Sequence, residues 1–224
     1  MGRLSAEDHK LVTDAVARAE RESEGEIVTI VADRSDAYHD VGLHYAVLAM
    51  LVVPAVIALV PVTWIDWAAA LTLGWNAEFT RGGLMLALFV LLALVFLAVR
   101  FLLVWRPLRM ALTPGRTKSR RVHRRAIALF RTGCEMKTRG RTGILIYLSL
   151  AEHRAEILAD KAIAEKVEPE VWGDALEVLI DEVKAGRPGI GMALAVEKVG
   201  GVLAGILPPT GQDRNELPDR LLEL

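Results

Sequence analysis

Carboxylates are the side chains best placed for chemistry in this chain. Asp33, Asp36 and Asp40 follow a β-branched run, Glu152, Glu156 and Asp160 surround a candidate hairpin, and Asp213, Glu216 and Asp219 lie near the end. Carboxylates that converge at strand ends bind divalent cations through oxygen ligands. A divalent-cation site among these loose groups is therefore one reading. The competing use is local, because DRSDAYHD-type segments also serve turns and caps. His39, His44, His123 and His153 show no ligand spacing, and Cys134 is the lone cysteine, which excludes an intramolecular disulfide and a cysteine zinc cluster. Ser35 and Ser149 sit in no nucleophile elbow, and no phosphate-cradling glycine motif follows a strand.

A second group is basic. From Arg106 to Arg141 there are twelve Lys and Arg against the single acid Glu135. Within it Arg116, Lys118, Arg120, Arg121, Arg124, Arg125 and Arg131 share a segment with Val122, Ala126, Ile127, Phe130 and Cys134. The apolar members return about every four residues, so the segment predicts an amphipathic helix rich in arginine. Such a helix beside a membrane span suits the anionic inner leaflet. A solvated helix packed on a domain through its apolar stripe fits the same pattern. No recognition motif or interleaved aromatic platform accompanies the charge, which argues against nucleic acid.

The elements that must position these groups include two long apolar runs. His44–Trp64 reads HYAVLAMLVVPAVIALVPVTW, and the second run, 83–105, passes through GLMLALFVLLALVFLAV and continues beyond Arg100. About 20 apolar residues at 1.5 Å each cover the roughly 30 Å apolar core of a bilayer. Two spans, 44–64 and 83–105, are expected, with Pro54 and Pro61 kinking the first or marking its end. The loop between them has only Arg81 as a cation, whereas the segment after the second span is densely basic. Positive residues favour the cytoplasm, so both termini are expected there, in a multi-pass protein of the inner membrane. Trp64, Trp67 and Trp75 suit the outer interface, Trp105 the inner one, and Arg100 can snorkel inward. The first apolar run begins beyond residue 40 behind an acidic stretch, unlike a signal peptide.

The flanks read as one α/β domain interrupted by that hairpin. Ser5-Ala6-Glu7-Asp8 predicts a capping box, Leu11, Val12, Ala15, Val16 and Ala19 recur at helical spacing, and Gly25 is the expected stop. Glu26–Ala32 predicts a strand, as do 143–150 and 155–159, the last two as a hairpin. Helical patterns cover 161–167, 169–185 and 189–207. The last is apolar, but Glu197 and Lys198 at its middle would each cost roughly 2.5–3.5 kcal/mol in a bilayer. It is expected to pack on the sheet. The expected organisation is residues 1–40 and 142–208 as two parts of one domain, spans at 44–64 and 83–105, a basic juxtamembrane segment at 106–141, and a tail at 209–224.

The segment LSAEDHKLVTDAVARAERESEGEIVTIVADRSDAY, followed after the spans by RTGILIYLSLAEHRAEILADKAIAEKVEPEVW, resembles the TPM-domain family of bacterial and chloroplast membrane-associated proteins. The resemblance implies an α/β/α sandwich around a small mixed sheet. It also implies links to phosphatase activity, to calcium or other divalent-metal binding, and to the upkeep of membrane complexes. The chain departs from the family in two ways. The commoner members place the domain outside the cytoplasm, and their glycine-rich acidic stretch is here ADKAIAEKV, leaving Asp160 and Glu165 as rough counterparts. The expected function is thus a non-enzymatic scaffold or accessory factor at the cytoplasmic face, contacting anionic lipid and a membrane protein partner. The alternative that the resemblance implies is a divalent-metal-dependent hydrolase of phosphatase type, with Asp33, Asp36, Glu156 and Asp160 as the candidate ligands holding calcium or magnesium against phosphate.

Overall fold

The computed structural model describes residues 4–64, 67, 80–133, 142–209 and 219–224. Its elements are α1 (Ala6–Glu22), β1 (Glu26–Ala32), α2 (His39–Leu59), α3 (Arg81–Leu102), α4 (Arg106–Leu112), α5 (Gly115–Gly133), β2 (Gly143–Ser149), β3 (Arg154–Ala159), α6 (Lys161–Ala164), a 3₁₀ turn (Pro169–Trp172), α7 (Gly173–Lys184), α8 (Pro188–Ile206) and β4 (Leu222–Glu223). They form two compact units, 1–37 with 115–224, and 38–114.

The first unit is an α/β domain around a mixed sheet of order β3-β2-β1-β4. β1 and β2 run parallel in register from Glu26↔Gly143 to Ala32↔Ser149, although the whole second unit separates them in sequence. A parallel pair needs a crossover connection, and both central strands are buried throughout, as two covered faces require. Alternation then divides the side chains. Ile27, Val31, Ile144, Ile146 and Leu148 meet Val12, Val16, Leu179, Val196 and Leu203 from α1, α7 and α8. Val28, Ile30, Leu145 and Tyr147 meet Val122 and Ala126 of α5 on the opposite face. The result is a sandwich with helices on both sides.

Local chemistry explains most boundaries. Ser5 and Asp8 close the expected capping box at the start of α1. The end of α1 differs from expectation: Ser23 is the C-cap, in extended backbone, and donates its hydroxyl to Ala19 O. Gly25 is small for another reason, since a Cβ there would lie 2.8 Å from Leu203. A left-handed glycine does appear at Gly186 (φ 80°), between α7 and α8. The helical pattern 161–167 shortens to the single turn of α6, and 169–185 divides into a 3₁₀ turn and α7. The segment read as a tail contributes β4, which pairs parallel with β1 at Ile30↔Leu222 and Val31↔Glu223.

The second unit holds α2 and α3, which pack on each other. α2 starts at His39 rather than at His44 and stops at Leu59. Val60 turns to extended backbone before Pro61, the conformation a following proline imposes. Pro54 remains inside the helix. Thr80 caps α3 by accepting from Gly83 N at 3.2 Å, and Arg100 lies against Gly42 of α2. Among the described residues, three helices are long and apolar enough to cross a membrane: α2, α3 and α8. They differ in burial. No part of the most apolar window of α3 is buried, whereas half of that of α8 is. α8 packs into the domain through Met192, Ala195, Val196, Val199 and Leu203, with Glu197 and Lys198 facing out.

Candidate functional site

The four candidate metal ligands are distributed over the sheet. Asp33 and Asp36 follow the C-terminal end of β1, and Asp36 pairs with Arg121 of α5 at 3.0 Å. Glu156 lies within β3, its Oε2 3.2 Å from His123 Nδ1. Asp160 is at the opposite end of the sheet, where its carboxylate accepts from Gly143 N at 3.1 Å. Because β2 and β1 are parallel, the seven residues of β1 stand between Asp160 and Asp33, a span of about 20 Å. The geometric reason is the antiparallel turn at 150–153, which carries the chain of β3 back to the start of β2. Among the described residues, no group of three or more His, Cys, Asp or Glu could hold a metal ion. Asp213 and Glu216 lie outside the described residues.

The basic segment is brought together more closely. α5 buries Val122 and Ala126 against the sheet and half-buries Ile127 and Phe130, while Cys134 lies outside the described residues. Arg116, Arg120, Arg124, Arg125 and Arg131 are exposed, Lys118 is half-buried, and Arg121 is drawn to Asp36. At 3.6 residues per turn, Arg116, Arg120, Arg124 and Arg131 fall in one stripe. Among the described residues, Arg116, Arg120, Arg124 and Arg131 pair with no acid of the sheet. The stripe presents guanidinium groups in a row, a surface suited to phosphate oxygens.

A third cluster was not read from the sequence as a unit. At the C-terminal ends of β1 and β2, Tyr147 and Ser149 project from one face of β2, and Ser35 and Glu152 close over them. The Ser35 hydroxyl is 2.9 Å from the Tyr147 phenol and donates to Ser149 Oγ at 2.9 Å. Ser149 donates to Glu152 Oε2, whose other oxygen accepts from Ser35 N at 3.1 Å. With Ser35 and Ser149 both donating onward, the phenol must donate to Ser35, so three hydroxyls run in one direction to a carboxylate. Burial pushes the Tyr147 phenol above its ordinary value of 10.0, against hydrogen bonds with Ser35 and Ser149 that pull it down. The phenol therefore stays protonated at neutral pH. Ser149 is fully buried, and Ser35 is half-buried above it. The chain of hydroxyls fastens the 33–36 loop to the β2–β3 turn, and buried polar groups satisfied in this way specify one arrangement. The available signal was parity: Tyr147 and Ser149 stand two apart in an otherwise apolar strand.

No protein-family model matches the chain, and no curated protein matches it. Among solved structures, it is similar to the NMR structure of BA42 protein from the psychrophilic bacterium Bizionia argentinensis, at 18% identity and a TM-score of 0.56, over 100% of this chain and 97% of that one. At that identity, the likeness shows a shared fold and nothing about activity.

Proposed function

We propose that this protein is a TPM-like α/β domain anchored by a two-span hairpin in the bacterial inner membrane, with both termini cytoplasmic. It acts there as a non-enzymatic scaffold or accessory factor for a membrane complex. The observation that carries this reading is the contrast within the chain. α2 and α3 expose large apolar side chains such as Leu51, Val56, Phe89, Leu94 and Phe101, while the flanking segments share one buried sheet. Water-exposed apolar surface of that extent is costly, and a bilayer removes the cost. Trp64 beyond the end of α2 and Trp105 beyond the end of α3 are exposed, as interfacial anchors are.

The arginine stripe of α5 follows the second span closely in sequence, and anionic lipid headgroups are its natural counter-charge. The described residues offer no carboxylate cluster in support of the metal-dependent hydrolase alternative. The test is native mass spectrometry of the full chain released from nanodiscs containing mixed anionic and zwitterionic lipid. The wild-type chain should retain anionic lipid, and the Arg116→Glu/Arg120→Glu/Arg124→Glu variant should lose most of it. Equal retention by the two would remove the lipid role. Calorimetric calcium and magnesium titrations, with Asp33→Asn/Asp36→Asn and Glu156→Gln/Asp160→Asn variants, decide the metal question: carboxylate-dependent micromolar binding would favour the hydrolase.

A further inference from the structure

The last turn of α3 carries a charge that no described side chain answers. Arg100 is half-buried there, and its Nη1 is buried without a hydrogen-bond partner. Among the described residues, no ion pair or hydrogen bond reaches any part of its guanidinium. Asp40 is the one acid among the described residues of the second unit, and its contacts lie elsewhere. The seat of the guanidinium is shaped by a glycine. Gly42 of α2 is buried, and a Cβ there would lie 3.3 Å from Arg100 Nη1 and 3.5 Å from Leu103 Cβ. The absent side chain leaves a notch between the two spans, into which Nη1 fits. Because the residue is only half-buried, the rest of its planar fork stays open to a ligand. At the same end of α3, a cavity of about 440 Å³ is lined by Phe101, Val104, Trp105, Arg106 and Pro107. Phe101 follows Arg100 directly, and Val104 stands about one turn on. Phe101, Val104 and Trp105 are exposed apolar walls, and Arg106 is an exposed cation with no ion pair among the described residues.

We propose that this end of the hairpin binds one anionic phospholipid, with its phosphate on Arg100 and Arg106 and an acyl chain along the cavity. The charges and the shape of the site name that occupant. An arginine within a span needs a partner, and here the chain supplies no acid. Guanidinium forks match phosphate oxygens, and basic pockets between spans take phospholipid headgroups. The two cations oppose the ammonium of a zwitterionic headgroup, which selects an anionic one. The apolar walls suit a hydrocarbon chain, which a soluble phosphate lacks. This inference rests on the hairpin lying in a bilayer. It is separate from the arginine stripe of α5, which belongs to the other unit.

The test is native mass spectrometry of the detergent-solubilised full chain, titrated with phosphatidylglycerol, phosphatidylcholine or glycerol phosphate. It is run on the Arg116→Glu/Arg120→Glu/Arg124→Glu background, which removes the α5 stripe. One phosphatidylglycerol should still bind there, about tenfold more tightly than phosphatidylcholine, and glycerol phosphate should not displace it. Adding Arg100→Gln should weaken that lipid by about tenfold or more. Trp105→Ala, which removes a wall of the cavity, should weaken it less. Arg100→Lys keeps the charge and loses the fork, so it should fall between wild type and Arg100→Gln. It decides the matter if Arg100→Gln fails to integrate on alkaline extraction. Undiminished retention in Arg100→Gln, or in Arg100→Lys where that variant decides, overturns the proposal. Displacement by glycerol phosphate overturns it as well, by making the ligand a soluble phosphate. Release of the unsubstituted chain by alkaline extraction would overturn the hairpin and this site together, whereas loss of the site alone leaves the hairpin standing.

Discussion

α3 and α8 are matched in length and both are apolar enough to cross a membrane, yet one is bare and the other is core. What separates them is texture. α3 is a near-continuous run of Leu, Val, Phe and Ala with no fully buried residue: Leu92, Val95 and Phe96 are half-buried, and Leu84, Phe89, Leu94 and Leu97 are exposed. α8 carries small residues where neighbours come close. A Cβ on Gly200 would stand 2.6 Å from Ala19 Cβ of α1, and one on Gly191 would stand 2.9 Å from Leu179 O of α7. Its exposed face carries Glu197, which Arg18 meets at 2.7 Å. Apolar content measures only the wish to leave water. Whether protein or lipid receives the helix is decided by small residues that admit neighbours and by the charges on the remaining face.

The sharpest way to break this comparison is to give each helix the other's defect. Leu91→Asp at the middle of α3 should cost about 3 kcal/mol of insertion free energy, read as lost membrane-integrated protein on alkaline extraction. Leu194→Asp on the exposed side of α8 should change integration little. Steric substitution reverses the ranking. Gly200→Leu should lower stability by about 3 kcal/mol, because the close approach of α1 leaves no room, and denaturant unfolding of the purified chain would measure it. Gly201→Ala, with nothing within 4 Å of the added methyl group, should be neutral or raise stability by up to about 1 kcal/mol through helix propensity.

Smaller effects belong to the polar contacts of the domain. Ser35→Ala removes the middle of the hydroxyl chain and leaves the buried phenol without its acceptor, at an expected cost of about 1–2 kcal/mol in the same unfolding assay. The raised Tyr147 phenol gives a pH signature. Its folded value lies above the unfolded one, so its contribution is complete below about pH 10 and is lost as pH rises through the folded value. Ultraviolet titration should show one tyrosine ionising late, and Tyr147→Phe should abolish that phase. The smallest effect is at the α7–α8 turn, where the hydrogen bonds from Arg187 hold the Glu182 carboxyl below its ordinary 4.5. That contribution is present above the ordinary carboxylate value and fades as pH falls through the folded one. Carbon-13 titration of Glu182 should move to the ordinary value in Arg187→Gln.

Legibility followed the range of the interactions. The capping box at Ser5, the β-branched run 26–32 and the hairpin between Ile144 and Ala159 are encoded within a few residues each, and all three were readable. β4 was not, because Leu222 and Glu223 carry no strand signal of their own and are ordered by the edge of β1. Gly25 looked like a helix stop, but its size answers Leu203, far away in sequence. The candidate site divided the same way. The apolar stripe of α5 was legible from spacing, whereas the distance between Asp33 and Asp160 depends on strand direction. The Ser35–Tyr147–Ser149–Glu152 chain depends on a parallel pairing formed across the inserted helices.

The central claim, two spans and not three, is tested most directly by cysteine accessibility in intact cells and inverted vesicles. Single cysteines at Thr80, Gly201 and Asp219 on a Cys134→Ser background, alongside one at Lys10, would report the sides. The account predicts that Thr80→Cys labels only from outside, and that Lys10→Cys, Gly201→Cys and Asp219→Cys label only from the cytoplasm, since β4 and β1 share one sheet. Labelling of Lys10→Cys and Asp219→Cys from opposite sides would make α8 a third span and contradict the account.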